Sequence, residues 1–276
     1  MMERREDIDG EPVRWLEHGE GPPVVLVHGI PTTPRLWRHV VPRVRGRCLA
    51  LEMRGYGSSI PDGRTGDLGL AAQAARLLRW LDELDVRRPV LVGHDLGGGV
   101  AQIAAAHAPE RFAGLVLTNA VCYDSWPIPS VLAMQRGASV LRHLPQVALY
   151  PSIVSLIHRG HDDRQRALES LGVHWQAYLT HGAAPALMRQ VSALTAQDTL
   201  AVADRLPTLG LPARVVWGAA DRFQKVKYGR RLAADLGTEI QLIPGGRHFT
   251  PEDHPETIAA AVNDLLDRPT AGQAEG

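Results

Sequence analysis

Three polar side chains stand where apolar, β-rich runs end, and their types suit nucleophilic catalysis. In Val90-Leu91-Val92-Gly93-His94-Asp95-Leu96-Gly97-Gly98-Gly99, a buried strand passes through a turn of small residues directly into a helix. This is the Gly-x-nucleophile-x-Gly pattern, in which a strained turn lifts one side chain above a sheet. The side chain carried here is a carboxylate, Asp95. The start of the following helix favours negative charge and sets the Leu96 N–H beside it. Val215-Val216-Trp217-Gly218-Ala219-Ala220-Asp221 is a strand running into an acid, and Ile243-Pro244-Gly245-Gly246-Arg247-His248-Phe249 one running into an imidazole. Taken singly, Asp95 also reads as a helix cap, Asp221 as a turn aspartate and His248 as one of twelve histidines. Taken together they keep the order nucleophile, acid, histidine, and all leave strand C-termini, where open α/β sheets bind ligands. The turn His28-Gly29-Ile30-Pro31 after the first strong strand adds the Ile30 N–H to that of Leu96, a two-donor pocket for a developing oxyanion.

Such a site needs a scaffold, and the chain has the pattern of one. Apolar runs at 23–28, 48–52, 89–93, 115–117, 214–217 and 239–243 read as strands. They alternate with helical spacing at 69–84, 96–107 and 255–266, which predicts an α/β fold built on a mainly parallel sheet. In the first helix Leu70, Ala74, Leu77, Leu78 and Leu81 make the apolar face. Between Leu115 and Val215 lie roughly ninety residues without strand character, too long for a structureless loop. Helix-like pieces broken by Pro127, Pro129, Pro145, Pro151 and Pro185 predict an inserted helical lid over the pocket. The expected division is a core of 1–122 and 208–268, a lid of 123–207 and a flexible tail of 269–276.

Composition narrows the partners. Lys plus Arg and Asp plus Glu each total 30 in 276 residues, so zero formal charge gives no case for nucleic acid or an acidic membrane. No stretch approaches the roughly 18 apolar residues of a spanning helix, and the charged N-terminus lacks a signal core. Cys48 and Cys122 suggest no disulfide framework, and no histidine pair has metal-ligand spacing, so no metal and no cofactor are expected. A cytoplasmic enzyme acting with water on a small apolar molecule is the expectation, the apolar lid residues forming the roof of its pocket. Oligomeric state is not legible.

These motifs resemble the α/β-hydrolase superfamily, and within it the aspartate-nucleophile branch of epoxide hydrolases and haloalkane dehalogenases. The resemblance rests on His28-Gly29-Ile30-Pro31-Thr32-Thr33, Leu36-Trp37-Arg38, Glu52-Met53-Arg54-Gly55-Tyr56-Gly57-Ser58-Ser59, Gly93-His94-Asp95-Leu96-Gly97-Gly98, Trp217-Gly218-Ala219-Ala220-Asp221 and Gly246-Arg247-His248-Phe249. It implies that Asp95 attacks an sp³ carbon to give an alkyl-enzyme ester, and that His248, oriented by Asp221, activates water against it. It also implies that the Ile30 and Leu96 N–H groups hold the oxyanion. The chain departs from both subfamilies. Leu96 stands where dehalogenases place a halide-binding tryptophan, and Met188 where epoxide hydrolases place a lid tyrosine. Trp37, Trp126 and Trp175 are the remaining candidates for a halide, and Tyr123, Tyr150 and Tyr178 for an epoxide oxygen. Epoxide opening is the first expectation, with dehalogenation or a non-hydrolytic reaction of the same Asp/His pair as alternatives.

Overall fold

The computed structural model describes residues 1–268, so the tail expected at 269–276 lies outside the described residues. Eight strands form one sheet in the order β1-β2-β4-β3-β5-β6-β7-β8. They are β1 (Met2–Ile8), β2 (Glu11–His18), β3 (Pro23–Val27), β4 (Arg47–Leu51), β5 (Val90–His94), β6 (Gly114–Thr118), β7 (Ala213–Gly218) and β8 (Ile240–Ile243). From β4 onward along that order the strands are parallel. The innermost, β5 and β6, are buried at every position, which is why they read as unbroken apolar runs rather than alternating ones.

The N-terminal hairpin is the element that charge concealed. β1 pairs antiparallel with β2, and β2 antiparallel with β4, although β1 is exposed at every position except Ile8. An edge strand with both faces in water carries no burial pattern, and its charged side chains discourage further pairing.

The helices are α1 (Leu70–Glu83), α2 (Leu96–His107), α3 (Pro129–Leu141), α4 (Gln146–Gly160), α5 (Arg164–His181), α6 (Ala183–Ser192), α7 (Gln197–Leu200), α8 (Val226–Asp235), α9 (Thr250–Asp253) and α10 (Pro255–Leu266). α2 is buried from Leu96 to Ala106 and starts directly beneath the Asp95 turn. Its glycines let it lie against the sheet: a Cβ at Gly97 would stand 2.1 Å from the Val27 carbonyl oxygen.

Helices α3 to α7 occupy the stretch between β6 and β7. They are tied to the sheet by polar contacts. The Gln190 amide donates to the Gly55 carbonyl at 2.6 Å, and the Asp198 carboxylate accepts from the Leu70 N–H at 2.8 Å, capping α1. The Gly160 carbonyl, at the end of α4, accepts from the N–H groups of both His248 (2.9 Å) and Phe249 (3.0 Å).

A buried charge cluster reinforces this seam. Fully buried Glu252 accepts from Arg38 and faces His174 Nε2 at 3.1 Å and His161 Nε2 at 3.3 Å. His161 Nδ1 lies 2.8 Å from Asp253. Burial would raise the Glu252 pKa, but His174, the facing His161 imidazole and the Arg38 guanidinium hold it well below the usual carboxylate range. Burial likewise works against the His161 imidazolium, yet its bonds to Asp253 and Glu252 raise its pKa to about 9.

Replacing Glu252 by Gln leaves buried cations without their counter-charge and is expected to cost about 3–5 kcal/mol, read by urea unfolding. The folded-state pKa of His161 exceeds its ordinary value of 6.5, so its stabilisation is complete below that value and is lost as pH rises through about 9. Melting temperatures taken from pH 7 to 10 should therefore fall less in His161→Gln than in the wild type.

Candidate functional site

Asp95 adopts φ 51°, ψ −121°, a strained conformation for a side chain with a Cβ, imposed where β5 turns into α2. The turn backbone is held in place: the Asp95 carbonyl accepts from Gly98 N at 3.0 Å and Val121 N at 3.1 Å. Its carboxylate is pressed against the turn after β3, and a Cβ on Gly29 would lie 2.3 Å from Oδ2. Glycine is needed there because the carboxylate fills the space. Oδ2 accepts the Ile30 N–H at 2.9 Å. Burial raises the Asp95 pKa, opposed by the charge of His248 and by hydrogen bonds from the Ile30 and Leu96 N–H groups.

The other carboxylate oxygen, Oδ1, stands 3.8 Å from His248 Nε2. The opposite ring nitrogen, Nδ1, bonds Asp221 Oδ2 at 2.9 Å. Asp221 is itself fixed by Asn119 Nδ2 (2.6 Å), Phe223 N (2.7 Å) and Gln224 N (3.1 Å). Burial disfavours charge on both partners. The His248 charge nevertheless lowers the Asp221 pKa, and the charges of Asp221 and then Asp95 raise that of His248. His94, read from the sequence as a packing residue, lies with its ring 4.8 Å from that of His248 and its Nε2 2.9 Å from the His248 carbonyl. Burial lowers its pKa to about 3, which keeps it neutral.

Above Asp95 is a small cavity of about 60 Å³, walled by Leu96, Trp126, Leu194, Phe223 and Gln224. It adjoins a cavity of about 610 Å³ among α3, α4 and α6, and Ile30, Val131, Leu156 and Phe223 line both. Of the aromatic candidates, Trp126 reaches the small cavity, but its Nε1–H is engaged by Thr199 at 2.8 Å. Met188 lines the larger cavity.

The remaining candidates lie outside the lining of the Asp95 pocket. Trp37 is packed in the core beside the sheet. Trp175 stacks on Tyr178 at 5.0 Å, and half-exposed Tyr150 lies 6.3 Å from Trp175. Tyr178 donates to Gln190 at 2.7 Å and Tyr123 to Asp235 at 2.6 Å, so both hydroxyl protons are committed elsewhere.

Two residues that sequence reasoning missed matter here. Asn119 holds Asp221 with its amide, while its Oδ1 accepts from Gly218 N (3.2 Å) and Thr250 Oγ1 (2.9 Å). Its place just past the C-terminus of β6 was the available signal. Gln224 lines the Asp95 pocket with a buried, unpartnered Oε1, and its Nε2 makes no hydrogen bond among the described residues. Nothing in its local sequence distinguishes it.

A mostly parallel sheet with a strained strand-to-helix turn, facing an acid–histidine pair on later strands, is the architecture of an α/β hydrolase. The chain belongs to the alpha/beta hydrolase fold family, whose model matches residues 22–255. It is 30% identical over 265 residues to haloalkane dehalogenase 2 of Mycobacterium tuberculosis, covering 91% of this chain and 90% of that protein. The uncharacterized hydrolase YugF of Bacillus subtilis is 26% identical, covering 95% and 97%. Among solved structures, an alpha/beta hydrolase fold protein from Burkholderia ambifaria matches with a TM-score of 0.87 and 28% identity, covering 95% and 97%. The chain is an enzyme of this type. No described helix is long and apolar enough to cross a membrane.

Asp221→Asn removes the leading contribution that raises the His248 pKa. Nuclear magnetic resonance titration of the imidazole should give a midpoint below that of the wild type. An unchanged midpoint would mean that Asp221 does not govern the base.

Proposed function

We propose that the protein hydrolyses a carbon–halogen bond of an apolar molecule through a covalent ester on Asp95. The observation that carries this reading is the placement of that carboxylate: Oδ2 accepts the Ile30 N–H, while Oδ1 faces His248 Nε2 at 3.8 Å. Oδ1 attacks the sp³ carbon, the C–O bond forms as the carbon–halogen bond breaks, and halide departs with the electron pair. Attack by a carboxylate needs no base. Esterification then removes the Asp95 charge and with it one of the contributions that raise the His248 pKa, leaving Asp221 to orient the neutral base. His248 takes a proton from water, whose oxygen adds to Cγ. The oxyanion that develops on Oδ2 is met by the Ile30 and Leu96 N–H groups. On collapse the Cγ–Oδ1 bond breaks, the His248 imidazolium gives its proton to the departing Oδ1 to form the alcohol, and the new carboxyl group loses its proton to water.

The leaving group decides between halide and epoxide. A halide leaves as a stable anion and needs only a hydrogen-bond donor, whereas an opening epoxide leaves an alkoxide that needs a proton. Gln224 can supply the first and not the second, because an amide is no acid at neutral pH. Of the three tyrosines that would have supplied the proton, Tyr178 and Tyr123 are bonded to Gln190 and Asp235, and Tyr150 is exposed and outside the lining of the Asp95 pocket. The similarity to a haloalkane dehalogenase supports the same choice. Epoxide opening, favoured from the sequence alone, becomes the second reading. It is supported by the raised His248 pKa, which offers an imidazolium as the acid. The mainly apolar walls of the two cavities support a substrate with an apolar body.

With His248→Ala, intact-protein mass spectrometry should record accumulation of an Asp95 alkyl ester from 1-bromoalkanes. Absence of any adduct across bromoalkanes and terminal epoxides, in a folded variant, would overturn the covalent reading. In the wild type, release of halide without diol supports the first reading, and diol formation the second. Gln224→Ala should slow halide release roughly ten- to hundredfold by removing one hydrogen bond to a developing anion.

A further inference from the structure

The 610 Å³ cavity beside the Asp95 pocket is lined by apolar side chains, with one charged exception, Arg159. Ser152, Ser155 and Arg159 succeed one another at helical spacing on the cavity-facing side of α4. The guanidinium is not folded back on the last carbonyls of its helix. It lies over the ring of Phe223, with Cζ 5.7 Å from the centroid. That ring in turn packs edge-on against His248 at 5.1 Å and forms part of the wall of both cavities. Arg159 is exposed and, among the described residues, makes no hydrogen bond and no ion pair, as is also true of exposed Arg136, Arg164, Arg222 and Arg230. What distinguishes Arg159 is that it lines the cavity and lies over Phe223. The neighbouring Arg247 is engaged by the His161 carbonyl, and Asp162 by Arg247 N and His254, so no local acid is directed at Arg159.

An exposed guanidinium one aromatic ring away from His248, beside Ser152 and Ser155 at the edge of a mainly apolar chamber, is matched by a ligand that is both apolar and anionic. We propose that Arg159 is an anion-binding group of this cavity and that the substrate is an amphiphile, its apolar body among α3, α4 and α6 and a carboxylate or phosphate against Arg159. A planar guanidinium presents paired N–H donors to either oxyanion. The anionic group is then held near the reacting end of the molecule, because α4 delivers Arg159 one residue before Gly160, whose carbonyl anchors the His248 backbone. This changes the substrate class of the proposed function from a wholly apolar molecule to one whose apolar body carries an anionic group, and it rests on the Asp95 pocket being the reactive end.

Unreactive ligands separate this inference from the chemistry. Calorimetric titration of the full chain with decanoate, decyl phosphate and 1-decanol should give at least one anion binding roughly tenfold tighter than the alcohol. The anion with the larger preference identifies the headgroup. Arg159→Leu should bring that anion down to the affinity of the alcohol, and Arg159→Lys should retain part of the preference because the charge remains. Equal affinity of all three ligands in the wild type, or a preference that survives Arg159→Leu, would overturn the proposal. A preference abolished in Arg159→Leu without any alkyl-enzyme adduct would remove the covalent reading alone. An adduct without such a preference would remove the anion site alone.

Discussion

A carboxylate buried beside two backbone N–H groups is costly to keep ionised and, for the same reason, chemically useful. Asp95 is almost fully removed from water, and that burial raises its pKa. The Ile30 and Leu96 N–H groups and the facing imidazole supply what water no longer does. The turn that lifts Asp95, the glycine at position 29 and the start of α2 all serve to bring these donors to the carboxylate. The strain at Asp95 persists because β5, α2 and the loop after β6 hold its backbone from three directions.

The imidazole is positioned from farther away. Its ring is oriented by Asp221, itself held by Asn119; the two follow the C-terminal ends of the adjacent strands β7 and β6. Its backbone is held by Gly160, which comes from the inserted helices. The cluster of Arg38, His161, His174, Glu252 and Asp253 sits at the same seam. Buried charges of this kind are weak sources of net stability, but they tolerate few alternative arrangements, because any displaced partner is left unpaired in a medium that cannot solvate it. The seam therefore ties the position of α4 and α5 to that of His248, and the walls of both cavities move with it.

Much of the scaffold was legible as pattern. The strands at 90–94, 114–118 and 213–218 are buried on both faces, so only apolar runs suit them, and the helices at 96–107 and 255–266 begin and end where glycine and proline signals mark them. The hairpin of β1 and β2 was not legible, since a solvent-washed edge places no demand on its side chains. The aromatic residues were also ambiguous. Tyr178, Trp37 and Trp126 are all large and buried, and composition cannot say which faces a cavity, which packs in the core and which has its polar atom already engaged.

The sequence by itself determined the group carried after each of three strands of the candidate site: a carboxylate at a Gly-flanked turn, then an acid, then an imidazole. It could do so because the short-range backbone requirements of turns and strands are written in neighbouring residues. Which oxygen of Asp95 accepts the Ile30 N–H and which faces His248, which hydroxyl protons are already spent, and which amide and guanidinium stand beside the cavities were decided only in three dimensions. Most of those facts depend on contacts between residues far apart in the chain, such as Ile30 with Asp95, 65 positions away, and His94 with His248, 154 positions away, and chain neighbours carry no trace of them.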